Sequence, residues 1–328
     1  MTDAQRAWLE LKFGMFVSFG INTFYGMEWS DGTLSPDRFN PREFDARQWV
    51  AAAQSAGMKY LLLIAKHHDG FCNWPTRLTN YSVLASPWKR DVVGEVAAAC
   101  RESGLKLALY YSLWDCHEPS YRDDGRYAEF VMGQLRELLT QYGPVVQLWF
   151  DGTWDKMHPA EAIVENKLAI YRTSEAAVID QWERVGERRW RWREIYARIK
   201  ELQSDCLVLN NSCTTKPGVV VHWPVDLRNS EQIQRDSQGK VVQPKLVTTY
   251  RRDGREYFLP MESSACIREC WFFNATDRKF QTPEQIVEWL QLAQDRGGNF
   301  LVNAAPDDRG VIPAEELAIL KKVGELLK

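Results

Sequence analysis

The sequence predicts an α/β fold, a (β/α)8 TIM-like barrel, and three observations carry that expectation. Short apolar runs alternate with helix-like segments along most of the chain. Several runs are apolar throughout, as strands covered on both faces of a parallel sheet must be. Four of them end on polar side chains, and the sites of such barrels lie at the C-terminal ends of the strands. At 328 residues a closed barrel is favoured over an open doubly wound sheet. The first strand is followed by no GxGxxG or phosphate-binding loop, which weakens a dinucleotide-binding reading.

The elements follow in order. Residues 12–19 read as the first strand and 47–56 as a helix whose small residues suit packing on a sheet. Residues 59–65 (KYLLLIA) are the second strand, 91–103 the next helix, and Gly104 its left-handed stop. Residues 105–112 (LKLALYYS) make the third strand, and 127–141 a helix halted near Gly143-Pro144. Residues 145–150 are the fourth strand and 206–210 (CLVLN) the fifth. Between them lies an Arg- and Trp-rich stretch, 160–203, read as an added helix followed by a barrel helix over 188–200, its charges forming a solvated face. Residues 214–255 carry turn-rich, weakly patterned sequence. Residues 300–303 are a last strand and 313–327 a closing amphipathic helix. The expected organisation is one catalytic barrel over 1–328 with a helical insertion around 155–200 and no C-terminal β-sandwich.

Composition narrows the function. A net charge of -3 argues against nucleic acid and anionic membrane as partners. No run is long and apolar enough to span a bilayer. The first residues lack the apolar stretch of a signal peptide, so a cytoplasmic location is expected. The seven cysteines, Cys72, Cys100, Cys116, Cys206, Cys213, Cys266 and Cys270, show no paired zinc spacing and read as reduced structural thiols. Tryptophan is abundant at 14 residues. Indoles serve equally as core packing or as flat platforms for sugar rings.

Chemistry gathers at the strand ends. The run 145–152 (VVQLWFDG) finishes on Asp151, and a carboxylate closing a buried strand is costly unless it faces a cleft. The first strand yields Ser18, with Glu28 and Trp29 in the loop beyond. The second yields His67, His68 and Asp69; the third yields Tyr111, Trp114 and Asp115, with His117 nearby. Trp149 precedes Asp151, and Asn210, Asn211, Glu262 and Asn303 come from later segments. Carboxylates among aromatic surfaces suit glycoside hydrolysis, in which an oxocarbenium-like transition state forms between two acids. A second reading makes His67, His68, Asp69 and Asp151 metal ligands of a hydrolase. Adjacent histidines on an extended strand point to opposite faces, which disfavours that reading unless the strand has ended.

Quoted in sequence, these blocks resemble glycoside hydrolase family 29, the retaining α-L-fucosidases. The resemblance runs through 13–20 (FGMFVSFG), 26–29 (GMEW), 65–72 (AKHHDGFC), 113–121 (LWDCHEPSY), 148–152 (LWFDG) and 297–303 (GGNFLVN). The stretches 114–121 and 26–32 look like the subgroup favouring α-1,3/1,4-linked fucose. The resemblance implies a fucosylated oligosaccharide or glycoconjugate as substrate and Asp151 as the nucleophile. Ser18, Glu28, Trp29, His67, His68, Tyr111, Trp114, Asp115 and Trp149 are then expected around the sugar. It implies Glu262 as the acid/base, because 259–262 (LPME) before Ile267-Arg268 and 271–273 (WFF) looks like the subgroup's Pro-x-Glu block. Glu269, standing where that block has a proline, is the second choice; Glu231 and Asp226 are outsiders. No cofactor and no metal is expected.

Two departures stand out. The family usually has His where this chain has Ser18, and losing one such hydrogen bond costs about 0.5–1.5 kcal/mol. That points to an altered glycone pocket, or to a sugar-binding relative of weak activity. The second departure is that no sequence remains after the barrel for the β-sandwich many relatives carry.

Overall fold

The structure, a computed structural model, describes residues 1–153, 186–211, 218–231 and 248–328. The strands in chain order are β1 (Phe13–Val17), β2 (Tyr60–Lys66), β3 (Lys106–Ser112), β4 (Val145–Asp151), β5 (Leu207–Asn210) and β6 (Arg228–Glu231), then β7 (Thr249–Arg252), β8 (Arg255–Phe258), β9 (Met261–Cys266) and β10 (Asn299–Ala304). Strands β7 and β8 form a separate antiparallel hairpin. The other eight make one sheet in the order β5-β4-β3-β2-β1-β10-β9-β6, every pairing parallel. A parallel bridge between Leu209 and Leu227 brings the two edges together, so the sheet nearly closes into a barrel.

Helices cover the outside: α1 (Asp3–Leu9), α2 (Ala46–Ser55), α3 (Val92–Ser103), α4 (Asp124–Gln141), α5 (Trp192–Leu202), α6 (Pro283–Asp295) and α7 (Ala314–Leu326). Local chemistry sets their ends. Asp91 caps α3 by accepting from the Gly94 amide, and Gly104 stops it at φ 77. Thr282 caps α6, with Pro283 in the first turn. Among the described residues no helix is long and apolar enough to cross a membrane.

Strand alternation divides the core in two. Phe16, Tyr60, Leu62, Tyr110, Trp149 and Leu301 belong to a cluster inside the barrel. Met15, Leu61, Leu63, Tyr111, Leu148 and Phe150 belong to the cluster between sheet and helices. The short helix α1 closes the N-terminal end of the barrel. Its Trp8 indole donates to Gln147 Oε1 at 2.8 Å, Gln147 Nε2 donates to Glu262 at 2.7 Å, and the Tyr60 hydroxyl donates to the other Glu262 oxygen at 2.8 Å. Gly14 is required beside this floor, because a Cβ there would lie 2.5 Å from the Tyr60 ring.

The expected strands and helices among the described residues are present, α5 falls on the expected barrel helix, and six further strands and helices appear. Strands β6 (RNSE) and β9 (MESSAC) are mostly polar, with Asn229 bonded to Asn211 and Glu262 to Tyr60 and Gln147, so hydrophobic pattern does not reveal them. Helices α1 and α6 and the β7–β8 hairpin complete the set. The added helix expected before α5, with Trp154, Trp182 and Cys213, lies outside the described residues.

Candidate active site

At the C-terminal end of the barrel a pocket of about 380 Å³ is lined by Phe16, Ser18, Glu28, Ile64, His67, His68, Tyr110, Trp149, Asp151, Trp271 and Phe272. Apolar Phe16, Ile64, Trp271 and Phe272 are interleaved with polar groups: His67 lies 4.9 Å from Phe272, and Glu28 accepts from the Trp271 amide.

Asp151, the last residue of β4, is held on both oxygens. Its Oδ1 accepts from the Gly152 amide at 2.8 Å and from Asn211 Nδ2 at 3.2 Å, and its Oδ2 accepts from the Tyr110 hydroxyl at 2.8 Å. His68 Nε2 stands 3.7 Å from Oδ2. The turn after it needs glycine: Gly152 has φ 67, and a Cβ would meet Trp114 at 2.5 Å.

Both histidines reach the pocket because β2 breaks its alternation. The β2–β3 register shifts between Ile64 and Lys66, a bulge-like irregularity that re-aims the chain. Lys66 pairs instead with Asp115 at 2.6 Å, both buried. The strand then ends, and His67 and His68 follow with ring centroids 4.0 Å apart. His68 Nδ1 lies 2.7 Å from Ser112 Oγ, whose proton goes to the Trp114 carbonyl at 2.7 Å. Ser112 therefore accepts, His68 carries its proton on Nδ1, and Nε2 is an acceptor. Burial, then the neighbouring His67 and Lys66, hold the His68 pKa well below its ordinary value, so the ring stays neutral.

The remaining polar groups are braced by aromatic ones. Glu28 is half-buried and accepts from Trp29 Nε1 at 2.9 Å and from the Trp271 amide at 3.4 Å. The Trp29 ring lies 4.9 Å from His68 and 5.0 Å from Trp114. Trp149 stacks on Tyr110 at 5.3 Å. Ser18 donates to Asn303 Oδ1 at 2.7 Å, and Asn303 Nδ2 donates to the Trp271 carbonyl.

Of the residues expected around a substrate, Ser18, Glu28, His67, His68, Trp149 and Asp151 line this pocket, and Trp29 packs against His68. Three lie elsewhere. Tyr111 faces the helices, donating to Gln134 Oε1 at 2.6 Å with the Lys66 ammonium over its ring. Its neighbour Tyr110 is the inward residue, as the period-two rule requires once the strand is in register. Trp114 is buried behind His68, and Asp115 is spent on Lys66 and on the amides of His117 and Glu118.

The expected acid/base residues are also displaced. Glu262 is the second residue of β9, fully buried at the barrel floor and paired in register with Asn299 at the N-terminal end. A proton donor has to reach the leaving oxygen, and Glu262 does not line the pocket: it has no exposed surface, and its two oxygens are taken by Tyr60 and Gln147. Glu269 is a surface residue paired with Lys279 at 2.9 Å. Asp226, the other outsider, pairs with Lys200 at 2.7 Å below β6. Glu231 ends β6 in register with Ser264, at the same rim where β4 ends on Asp151. The signal for it was available, a carboxylate closing a short run, but the run is too polar to read as a strand.

The metal reading finds no support in the donor geometry. Among the described residues no group of three or more His, Cys, Asp or Glu side chains is arranged to hold an ion. Asp69 accepts instead from the Phe71 amide and from Asn22 Nδ2.

A parallel barrel whose C-terminal mouth presents a held carboxylate among indoles, imidazoles and a phenol has the plan of a barrel hydrolase. Residues 25–328 match the model of the alpha-L-fucosidase family, and the chain belongs to that family. It is 31% identical to alpha-L-fucosidase 1 of Arabidopsis thaliana over 99% of this chain and 60% of that protein. It is 32% identical to rat tissue alpha-L-fucosidase over 92% of this chain and 63% of that one. A glycoside hydrolase 29 family member from an unknown rumen bacterium superposes with a TM-score of 0.77 at 28% identity, over 99% of this chain and 56% of the other. The chain thus spans about three fifths of the length of these relatives.

Proposed function

We propose that the chain is a retaining exo-α-L-fucosidase acting on terminal α-1,3/1,4-linked fucose of oligosaccharides or glycoconjugates, with Asp151 as nucleophile. The observation that carries this is the carboxylate itself: fixed on both oxygens, it stands in a pocket lined by both polar and apolar side chains. A 6-deoxyhexose carries both kinds of surface, a methyl group and hydroxyls. His68 Nε2 accepts a hydroxyl proton, and Glu28 accepts another. Asp151 Oδ2, on the side of Tyr110 and His68, attacks the anomeric carbon as the glycosidic bond breaks. Water then cleaves the resulting ester.

The acid/base role is assigned to Glu231, supported by its position at the end of β6 on the same rim. As the acid it protonates the leaving oxygen; afterwards it deprotonates the attacking water. A second reading keeps the fold and mechanism with a changed glycone. Its motive is Ser18, a small side chain whose proton is already committed to Asn303.

The test is turnover of an aryl α-L-fucoside and of a 3-fucosylated, galactose-branched oligosaccharide by the parent, Asp151→Gly and Glu231→Ala. Release of fucose by the parent, its loss in Asp151→Gly and partial recovery with azide are expected. Glu231→Ala should be slow on the oligosaccharide and less impaired on the activated aryl group. Full activity in Asp151→Gly would sink the mechanism, and full activity in Glu231→Ala would remove that residue. A parent inactive on fucosides but active on another glycoside, with fucose activity gained in Ser18→His, would favour the second reading. Exhaustive chelation should leave turnover unchanged.

A further inference from the structure

We propose that Asn229, acting through Asn211, is a positioning residue that fixes which oxygen of Asp151 faces the sugar; the proposal rests on the glycosidase reading above. A carboxylate only accepts, so Asn211 has to turn its amide nitrogen to Asp151 Oδ1, a contact of 3.2 Å. Its own oxygen then points toward β6, where Asn229 Nδ2 donates to it at 2.9 Å. The direction of both amides is therefore set from the charged end. Asn229 ends the relay with its Oδ1 buried and without a hydrogen-bond partner among the described residues. Turning the Asn229 amide over would set its oxygen against that of Asn211, so this orientation is the one the relay selects.

The geometry shows what the relay secures. Oδ1 is occupied by Gly152 and Asn211, neither of which lines the pocket. Oδ2 is thereby kept against the Tyr110 hydroxyl, beside the pocket-lining His68. Rotation of the carboxylate would break three hydrogen bonds at once. Asn229 also stands two residues before Glu231, so the relay ties the nucleophile's strand to β6.

The test uses Asn229→Asp, which keeps the volume and replaces the donor by an acceptor. Asn211 must then turn its nitrogen toward β6 and present its oxygen to Asp151, repelling it. Asn211→Ala, which removes the donor outright, is the second variant. Two readouts are taken: the rate of covalent labelling by a 2-deoxy-2-fluoro-fucosyl fluoride, followed by intact mass, and the Asp151 rotamer in a crystal structure of each variant. Both variants should show a maximal labelling rate about tenfold or more lower at a nearly unchanged half-saturating concentration, with the Asp151 carboxylate rotated. An unchanged rotamer and labelling rate in both variants overturns the relay. If the parent is not labelled, the glycosidase reading fails; the rotamer then still decides whether Asn229 positions Asp151.

Discussion

Glu262 provides a test of where the chemistry is and of how the barrel floor is held. It is fully buried, and burial pushes its carboxyl up from 4.5 to about 7, against the hydrogen bonds from Gln147 and Tyr60 that pull it down. Between those two values the folded protein keeps a proton that the unfolded chain has released. Its contribution to stability is therefore complete below pH 4.5, is lost as the pH rises to about 7, and stays constant above. The displacement corresponds to about 3 kcal/mol. The substitution Glu262→Gln should abolish this slope. The Trp8 indole can only donate, so Gln147 gives it Oε1 and turns Nε2 to position 262. An amide at 262 accepts that bond with its oxygen and donates from its nitrogen to the Tyr60 oxygen, the arrangement open to the protonated carboxyl. Parent and variant should be equally stable near pH 4.5, with the variant ahead by about 3 kcal/mol at pH 8. Urea unfolding followed by tryptophan fluorescence from pH 4.5 to 8 measures this. Parallel stability curves would refute the linkage. Turnover of Glu262→Gln should stay within about threefold of the parent; a loss of a hundredfold, equivalent to about 3 kcal/mol of transition-state stabilisation, would return Glu262 to the chemistry and refute its removal from the site.

Three further outcomes are expected. Tyr110→Phe should lower kcat about tenfold or more with a smaller effect on KM, whereas Tyr111→Phe should cost about 1–2 kcal/mol of stability through the lost bond to Gln134 and leave kcat near the parent's. Comparing the two by steady-state kinetics and thermal melts checks the strand parity. Lys66→Met leaves Asp115 charged and buried, so a loss of about 3–5 kcal/mol is expected in chemical unfolding. Gly14→Ala places a methyl against the Tyr60 ring, and a thermal melt should report about 1–3 kcal/mol of destabilisation.

The legible parts of this molecule were those where one physical signal acts alone. Residues 59–65 and 145–150 are largely apolar, Lys59 and Gln147 excepted, so their strand state needs no partner to be read. Asp151 stood out because a carboxylate ending such a run has few inexpensive explanations. Strands β6 and β9 escaped because they carry polar residues such as Asn229 and Glu262, whose partners come from distant segments of the chain. The helix α1 escaped because about two turns with one buried indole have almost no period.

Within the site, the sequence by itself determined the residue types and the strand ends that supply them: Asp151 after β4, the two histidines after β2, Ser18 after β1 and Glu28 beyond it. Only the tertiary structure decided which face each residue takes. Tyr110 rather than Tyr111 is inward because one position of phase reverses a strand, and phase is set by pairing with β2 and β4. Both histidines reach the pocket because a register shift in β2 sends Lys66 outward to Asp115. Glu262 lies at the floor and Glu231 at the rim because barrel height is a matter of register between strands distant in sequence. Composition and spacing along one chain do not encode that register; it arises when eight segments satisfy their backbone hydrogen bonds together.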